Sequence, residues 1–317
     1  MKRNILFALT IVASVISCSK DEVDNDFSNE VPVVLEFGGL TIDGETASTK
    51  ILDEVSGTLH TFTWEVGDKM TMILYNSPAA AGESSAVNVM NLSSTNHFTA
   101  KKAGASTTFT GTLPKDKIIE KWNTDAAADR VPVWAIFPAT DLTVAESSAA
   151  KNSYVISGPS FPAEQDGTGL RYCYFVAKTQ FNVDAFTTSS DNPQFKLSNA
   201  LIKFTMNTEK KVKKIVIYEG DTRSRLAGGI NYSTAYVGVQ SLSNKKDALT
   251  IQNGGLLPNE IYFACQYLHN GSENLRFVFT AEDGSTITKT LKIKSQCPSQ
   301  KISNLGTVTL DNWTPAE

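Results

Sequence analysis

Short apolar runs that alternate with polar residues are the feature that most constrains the fold of this chain. Val33, Leu35 and Phe37 alternate with residues that face the other way in an extended segment, and similar runs recur to the end of the chain. A period of two places apolar side chains on one face of a strand, and the Gly, Pro, Asn and Asp residues between runs indicate turns. Helical patterns are nearly absent, so the sequence predicts an all-β fold of antiparallel β-sandwiches. Predicted strands cover residues 70–75, 108–113, 195–206, 212–218 and 261–267, with a hairpin over 275–293 that turns at Asp283-Gly284.

The length of the chain and one polar segment predict two domains. A chain of 317 residues is about twice a typical domain of roughly 150 residues. Thr187–Pro193 is rich in Thr, Ser, Asp and Asn, and this composition indicates a linker or long turn between two strand-rich halves. We therefore expect an N-terminal β-sandwich domain over residues 31–188 and a C-terminal β-sandwich domain over residues 189–317.

The first residues indicate export and lipid attachment. Met1–Asn4 is basic, and the 12 residues of Ile5–Ile16 are apolar but too few to span a bilayer, which is typical of a secretory signal. Val15–Cys18 resembles a bacterial lipobox, so we expect residues 1–17 to be removed as a signal peptide and Cys18 to be acylated. The alternative is a plain signal that is cleaved elsewhere, with an incidental cysteine.

An acidic tether is predicted over residues 18–30. Its segment Ser19–Asp26 resembles the surface-export signal of lipoproteins of the Bacteroidetes. A calcium loop is the competing interpretation, but the segment lacks the turn glycine and the closing glutamate of an EF-hand loop. The sequence therefore predicts a protein that is lipid-anchored in the outer membrane and faces the cell surface.

Composition and charge argue against several functions. The net charge of −4 leaves no basic footprint for nucleic acid. No second histidine or cysteine lies at metal-ligand spacing from any of the three histidines, and no motif of a nucleophile elbow, phosphate loop, dinucleotide site or zinc protease occurs. We therefore predict no catalytic residue, no metal, no cofactor and a function other than catalysis. An extracellular hydrolase whose site is assembled from distant loops is the alternative.

The four tryptophans have two interpretations. Trp64, Trp122, Trp134 and Trp313 could fill the sandwich cores or form a platform on which sugars stack. Aromatic residues in sandwiches usually pack in cores, and we favour that interpretation.

Three cysteines remain after lipid attachment: Cys173, Cys265 and Cys297. An odd number cannot pair completely within one chain. A disulfide between Cys265 and Cys297 is compatible with an oxidising periplasm, and the sequence leaves it open.

Several short motifs, in order along the chain, resemble those of one protein family. Thr63–Met70 contains Trp-x-x-Gly-Asp, Val133–Pro138 is an apolar strand that ends in proline, Pro162–Gln165 is a short turn with glutamine, and Leu197–Phe204 opens a second set of strands. Together with the lipobox, these motifs resemble the fimbrillin-like lipoproteins of the Bacteroidetes, the subunits of type V pili. The resemblance implies two transthyretin-like β-sandwich domains in tandem after the signal and tether.

The resemblance also implies assembly by donor-strand exchange. A protease removes the N-terminal strand, and a strand of another subunit fills the groove that is left. Val33, Leu35 and Phe37 then belong to the displaced strand, and the polar segment 42–52 is a loop that a protease can cut. Processed members are cut after arginine, but no arginine lies between Arg3 and Arg130 here, so Lys50 is the candidate processing site. The donor strand would come from residues 305–313.

These features predict a structural subunit of a surface pilus or fimbria, at its stalk, tip or anchor, that supports adhesion. Its expected partners are other pilus subunits, the outer membrane through Cys18, a processing protease, and host or bacterial surface ligands. If the N-terminal strand stays in place, the protein is instead an anchor or an unpolymerised surface protein. A further alternative is a monomeric surface lipoprotein that binds carbohydrate beside an outer-membrane glycan importer.

Overall fold

The computed structural model describes residues 30–37, 40–42, 45–47, 63–75, 89–92, 97–122, 130–146, 154–168, 170–182, 187–188, 193–219, 226–233, 239–266, 274–292 and 302–316. Nearly all regular structure in these residues is β-strand, so the predicted all-β class is confirmed. The strands are β1 (Glu30–Phe37), β2 (Leu40–Ile42), β3 (Glu45–Ala47), β4 (Lys69–Tyr75), β5 (Val89–Asn91), β6 (Phe98–Ala100), β7 (Thr107–Pro114), β8 (Arg130–Phe137), β9 (Thr143–Glu146), β10 (Tyr154–Phe161), β11 (Glu164–Gln165), β12 (Phe175–Asn182), β13 (Thr187–Thr188), β14 (Phe195–Leu197), β15 (Ala200–Asn207), β16 (Val212–Glu219), β17 (Ala227–Ser233), β18 (Val239–Lys246), β19 (Ala248–Ile251), β20 (Glu260–Cys265), β21 (Asn274–Ala281), β22 (Thr286–Lys292) and β23 (Ile302–Thr309).

Two short helices interrupt the strands in the described part of the chain. The α-helix α1 (Lys115–Trp122) follows Pro114 directly, and a 3-10 helix covers Leu170–Tyr172. Proline is favoured at a helix start, and Asp116 in the first turn of α1 interacts favourably with the positive end of the helix dipole. The sequence does not predict α1, because eight residues are too few for a clear helical period.

The largest sheet has the strand order β1-β7-β6-β4-β8-β12-β14-β2-β3, with β5 beside β4 and β13 beside β12. Its pairings are antiparallel except that of β14 with β2, which is parallel. A second sheet, β18-β17-β10-β9, joins it across the first hydrophobic core. There Trp134 of β8 meets Tyr232 of β17 with ring centroids 5.0 Å apart, and both side chains are fully buried.

The second hydrophobic core lies between a five-stranded and a three-stranded sheet. Their orders are β11-β19-β16-β21-β22 and β20-β15-β23. Phe204 of β15 packs edge-on against Phe277 of β21 at 5.3 Å. The predicted hairpin at Asp283-Gly284 is present as β21 and β22, and Gly284 has a φ of +85°, which glycine adopts without strain.

The two cores meet at strand β15. Ala200, Ile202 and Phe204 face the second core, whereas Leu201 belongs to the first. Strand β10 also pairs with β17, so residues from both sides of position 188 contribute to the first core. The predicted division at residues 188 and 189 and the transthyretin-like relation of the two units remain predictions.

A buried polar network lies where the cores meet. Ser198 Oγ donates to the Tyr174 carbonyl at 2.7 Å, and since this uses its only proton, Tyr232 Oη donates to Ser198 Oγ at 2.9 Å. Asn199 accepts from Tyr174 N at 3.0 Å and donates to Cys173 Sγ at 3.8 Å. Burial raises the pKa of Cys173 to about 12, so its thiol is protonated and packs as an apolar group. Such a satisfied network fixes one arrangement of the surrounding strands.

The tryptophan side chains that the structure describes lie in or against the two cores. Trp64 and Trp134 are fully buried, which confirms the core interpretation for both. Trp313 is half-buried against the second core, and the Trp122 side chain lies outside the described set. Cys265 is buried, and Cys297 lies outside the described residues, so their pairing is still open.

Candidate functional site

Strand β1 lies at the edge of the largest sheet. It pairs antiparallel with β7 over its whole length, from Glu30 opposite Pro114 to Phe37 opposite Thr107. Among the described strands, β7 is its only hydrogen-bonded neighbour. Removing β1 would therefore leave the main-chain groups of β7 without partners along one edge, which is a template for another strand.

The two faces of β1 have different environments. Val34 points to the outer face and is 54% exposed. Leu35 and Phe37, two residues apart on the inner face, are fully buried. Val33 pairs with Gly111 in the same register. The predicted strand with one apolar face is thus present, while its displacement remains a prediction.

Phe37 inserts into a pocket made of aromatic rings. Its ring centroid lies 5.9 Å from that of Phe109 on β7 and 5.2 Å from that of Phe195 on β14. The Trp64 ring closes the pocket, at 4.9 Å from Phe109, 5.4 Å from Phe195 and 5.0 Å from Phe137. We call Trp64, Phe109, Phe137 and Phe195 the aromatic pocket. Loss of β1 would expose it to water, which is unfavourable in proportion to its apolar area.

The Trp-x-x-Gly-Asp motif positions the tryptophan of this pocket. Trp64 exchanges two main-chain hydrogen bonds with Gly104, at 2.9 and 3.0 Å. The chain then turns back, with Glu65 N donating to Asp68 Oδ2 at 2.8 Å and Gly67 at a φ of +97°. Burial raises the pKa of Asp68, and the hydrogen bond from Glu65 opposes that effect. The motif is thus a turn that directs the indole ring into the core.

The segment after β1 differs in part from the prediction. Residues 42–52 were expected to be a loop, but Glu45–Ala47 forms β3 and pairs with β2 from Leu40 opposite Ala47 to Ile42 opposite Glu45. The expectation of a loop was wrong here, because the two runs around Asp43-Gly44 are long enough for a short hairpin. Strand β2 also pairs in parallel with β14, next to the aromatic pocket. The processing candidate Lys50 and the lipid-attachment candidate Cys18 lie outside the described residues.

The predicted donor segment, residues 305–313, packs on the second core. Strand β23 lies parallel to β15 at a sheet edge, and Val308 and Leu310 are buried. Beyond it, Lys289 pairs with Asp311 at 2.7 Å, and Thr314 exchanges two main-chain hydrogen bonds with Thr286 of β22. The end of the chain thus connects the edges of the two sheets that enclose this core.

The sequence predicts strand β1 but not the aromatic pocket that receives it. Phe109 and Phe195 lie at alternating positions of predicted strands, and Phe137 lies in the apolar Val133–Pro138 motif. That pattern predicts that these side chains face a core, and Phe109 and Phe195 are fully buried while Phe137 is partly buried. Contact among them depends on the pairing of β1 with β7 and of β14 with β2, which alternation within a strand does not encode.

Neither a metal cluster nor a spanning helix is found in the part of the chain that the structure describes. The described His, Cys, Asp and Glu residues form no group of three or more that could hold a metal ion. No helix among the described residues is long and apolar enough to cross a membrane.

Comparison with known proteins gives only distant structural likeness. No protein-family profile and no curated protein matches the sequence. A solved structure of a candidate cell adhesion protein from Bacteroides uniformis is 12% identical, with a TM-score of 0.49 over 90% of this chain and 96% of that one. A candidate cell adhesion protein from Bacteroides ovatus is also 12% identical, with a TM-score of 0.45 over 91% and 96% of the two chains.

A fimbrial protein from Bacteroides ovatus is similarly distant. It is 12% identical, with a TM-score of 0.31 over 88% of this chain and 50% of that one. Likeness of this degree decides nothing about the function of this chain, and membership of the fimbrillin-like family remains a prediction.

Proposed function

We propose that this chain is a cell-surface fimbrial subunit that assembles by exchange of strand β1. In this proposal Cys18 anchors the exported precursor in the outer membrane, and cleavage at Lys50 frees the segment that contains Val33, Leu35 and Phe37. A strand of another subunit then occupies the same place beside β7. The resulting fimbria supports adhesion, and the protein has no catalytic role.

One observation carries this proposal: an N-terminal edge strand has both of its described inward side chains fully buried. Leu35 and Phe37 occupy the first core, yet β7 is the only described strand that is hydrogen-bonded to β1. Burial of each such side chain contributes about 1.5–3 kcal/mol. Removing β1 therefore creates both an open edge and an apolar groove. An incoming strand restores the main-chain hydrogen bonds to β7 and the apolar packing in the groove.

Residues 305–313 can supply the donor strand. Val308 and Leu310 are buried and two residues apart, which is the spacing of Leu35 and Phe37. A strand that presents Val308 and Leu310 on one face could fill the groove of a second subunit. Because both residues pack on the second core of their own subunit, donation requires β23 to leave its place beside β15. The alternative donor is a strand of another kind of pilus subunit, with a sequence different from this chain.

The monomeric carbohydrate-binding alternative receives no support from the described tryptophans. A platform for sugar stacking requires exposed rings, but Trp64 and Trp134 are fully buried, and Trp313 is half-buried against the second core.

A reversible lock on β1 tests strand exchange. Glu36 lies opposite Thr108 in the ladder, so Glu36→Cys with Thr108→Cys can link β1 to β7. A site for a specific protease at Lys50 then allows cleavage in vitro of the chain from residue 19. We expect the cleaved, oxidised protein to stay monomeric and to form oligomers when reduced, as measured by size-exclusion chromatography with light scattering.

Two controls make the result decisive. The same protein without cleavage should stay monomeric whether oxidised or reduced. An excess of a peptide with the sequence Glu30–Phe37 should suppress oligomers, because it refills the groove. Cleaved and reduced protein that stays monomeric and folded, or oligomers that the peptide does not suppress, would contradict strand exchange.

A further inference from the structure

A surface cleft lies beside the second core, away from the residues used above. Its volume is about 480 Å³, within the range of roughly 300–1,000 Å³ of small-molecule sites. Four charged side chains line it: Glu164 of β11, Lys213 and Lys214 of β16, and Glu282 after β21. None of the four takes part in the ion pairs of the described residues. Two cations and two anions thus face one cleft with a net charge of zero.

A β-bulge directs both lysines outward. The pairing of β16 with β21 shifts register between Val212 and Lys214. Val212 and Ile215 are buried in the second core, and the two lysines between them are exposed or half-exposed. A regular strand would alternate its side chains between two faces, whereas a bulge redirects one of them.

The walls of the cleft are held by main-chain hydrogen bonds. Thr250 N donates to Ala163 O at 2.7 Å, and Gln252 N donates to Gln165 O at 2.9 Å, which joins the β11 segment to β19. On the opposite side, Glu282 N donates to Lys211 O at 2.8 Å. The cleft is therefore preformed, which reduces the entropy that a ligand loses by ordering its site.

One wall combines an apolar side chain with uncovered backbone. Leu256 is 41% exposed, although most large apolar residues of the described chain are buried. Gly254, at a φ of +80°, has no atom within 4 Å of the place where a Cβ would lie. Asn253 Oδ1 accepts from Gly255 N at 2.9 Å and fixes this turn. A ligand can thus contact an apolar surface and reach peptide groups in the same cleft.

The chemistry of the lining selects a class of ligand. A carboxylate only accepts hydrogen bonds and an ammonium only donates them, whereas a hydroxyl does both. A sugar ring carries several hydroxyls around an apolar C–H face, so it can satisfy both charge types and also cover Leu256. A ligand with a net charge gains less binding free energy, because its attraction to one pair of charges is offset by repulsion from the other pair. We propose that this cleft binds a neutral sugar residue of a glycan, between Glu164, Lys214 and Leu256.

Glycan binding by the intact chain tests this proposal. The probe is an array of oligosaccharides of glucose, galactose, mannose, fucose and N-acetylhexosamines, printed beside sialylated and uronic-acid glycans. The protein is the chain from residue 19 with β1 in place, so the outcome does not depend on strand exchange. We expect binding to neutral glycans, followed by titration of the best ligand by calorimetry.

Matched variants locate the site. Glu164→Gln and Lys214→Met each remove a charge with little change of shape, and each should weaken binding by at least about tenfold. Glu120→Gln and Lys101→Met make the same changes in the first half of the chain and should leave affinity unchanged. Four results would overturn the proposal: no neutral glycan bound, only acidic glycans bound, equal affinity in the cleft variants, or equal losses in the controls.

Discussion

The packing of Phe37 makes a quantitative prediction about β1. Its side chain is fully buried, with ring centroids 5.2 and 5.9 Å from Phe195 and Phe109. Replacing a buried phenylalanine by alanine costs about 3–5 kcal/mol, since apolar burial is lost and a cavity remains. Val34 is the matched control on the same strand, because it is 54% exposed. Val34→Ala should change the free energy of unfolding by less than about 0.5 kcal/mol.

Urea denaturation measures this difference. With a slope of about 1–3 kcal/mol per M, Phe37→Ala should lower the unfolding midpoint of the first core by at least about 1 M. Fluorescence of the buried Trp64 and Trp134 reports on that core. If Phe37→Ala and Val34→Ala both shift the midpoint only slightly, β1 does not pack in the core and the proposed groove does not exist.

The same contact sets the affinity of a replacing strand. For protein cut at Lys50, a Glu30–Phe37 peptide that carries Phe37→Ala should bind at least about 100-fold more weakly than the native peptide, since about 3 kcal/mol is lost. A peptide with Val34→Ala should bind about as well as the native one. Fluorescence anisotropy of labelled peptides measures both, and equal affinities would show that the groove does not recognise the buried face.

Three further predictions follow from other contacts. Ser198→Ala removes the acceptor for Tyr232 Oη at 2.9 Å. The Tyr232 hydroxyl is then buried without this partner, so the free energy of unfolding should fall by about 1–3 kcal/mol, as measured by urea denaturation. The double variant Ser198→Ala with Tyr232→Phe should lose less, because it removes that hydroxyl as well. Burial raises the pKa of the Cys173 thiol to about 12, so this thiol should resist iodoacetamide at pH 8 in the folded protein and react in urea, as measured by peptide mass spectrometry. The same thiol should make the protein less stable as the pH rises from about 8.5 towards 12, because only the thiol of the unfolded state ionises in that range. Gly67→Ala should cost about 1–2 kcal/mol in thermal unfolding, because the φ of +97° strains any residue with a Cβ, although nothing lies within 4 Å of it.

The sequence predicts strands well and pairings poorly, for a physical reason. Alternation along one strand reports which face is buried, so β1 and the β21–β22 hairpin were both predicted. Pairing depends on contacts between distant segments. Strand β10 pairs with β17 across a bulge between Ser157 and Ser160, and no local pattern indicates that choice of partner.

The same limit applies to the two candidate sites. The Gly67-Asp68 turn could be predicted, but its role in holding Trp64 beside Phe195 could not. The cleft combines Glu164, Lys214 and Leu256 from three separate segments. Its bulge depends on the register with β21, so the sequence alone gave no sign of it.

Intact mass and N-terminal sequence of the protein taken from the native cell surface test the central claim most directly. Strand exchange after processing predicts a chain that begins at Ile51 and carries no lipid. A chain that begins at an acylated Cys18 and retains Leu35 and Phe37 would contradict it, because the groove would then be closed by its own strand.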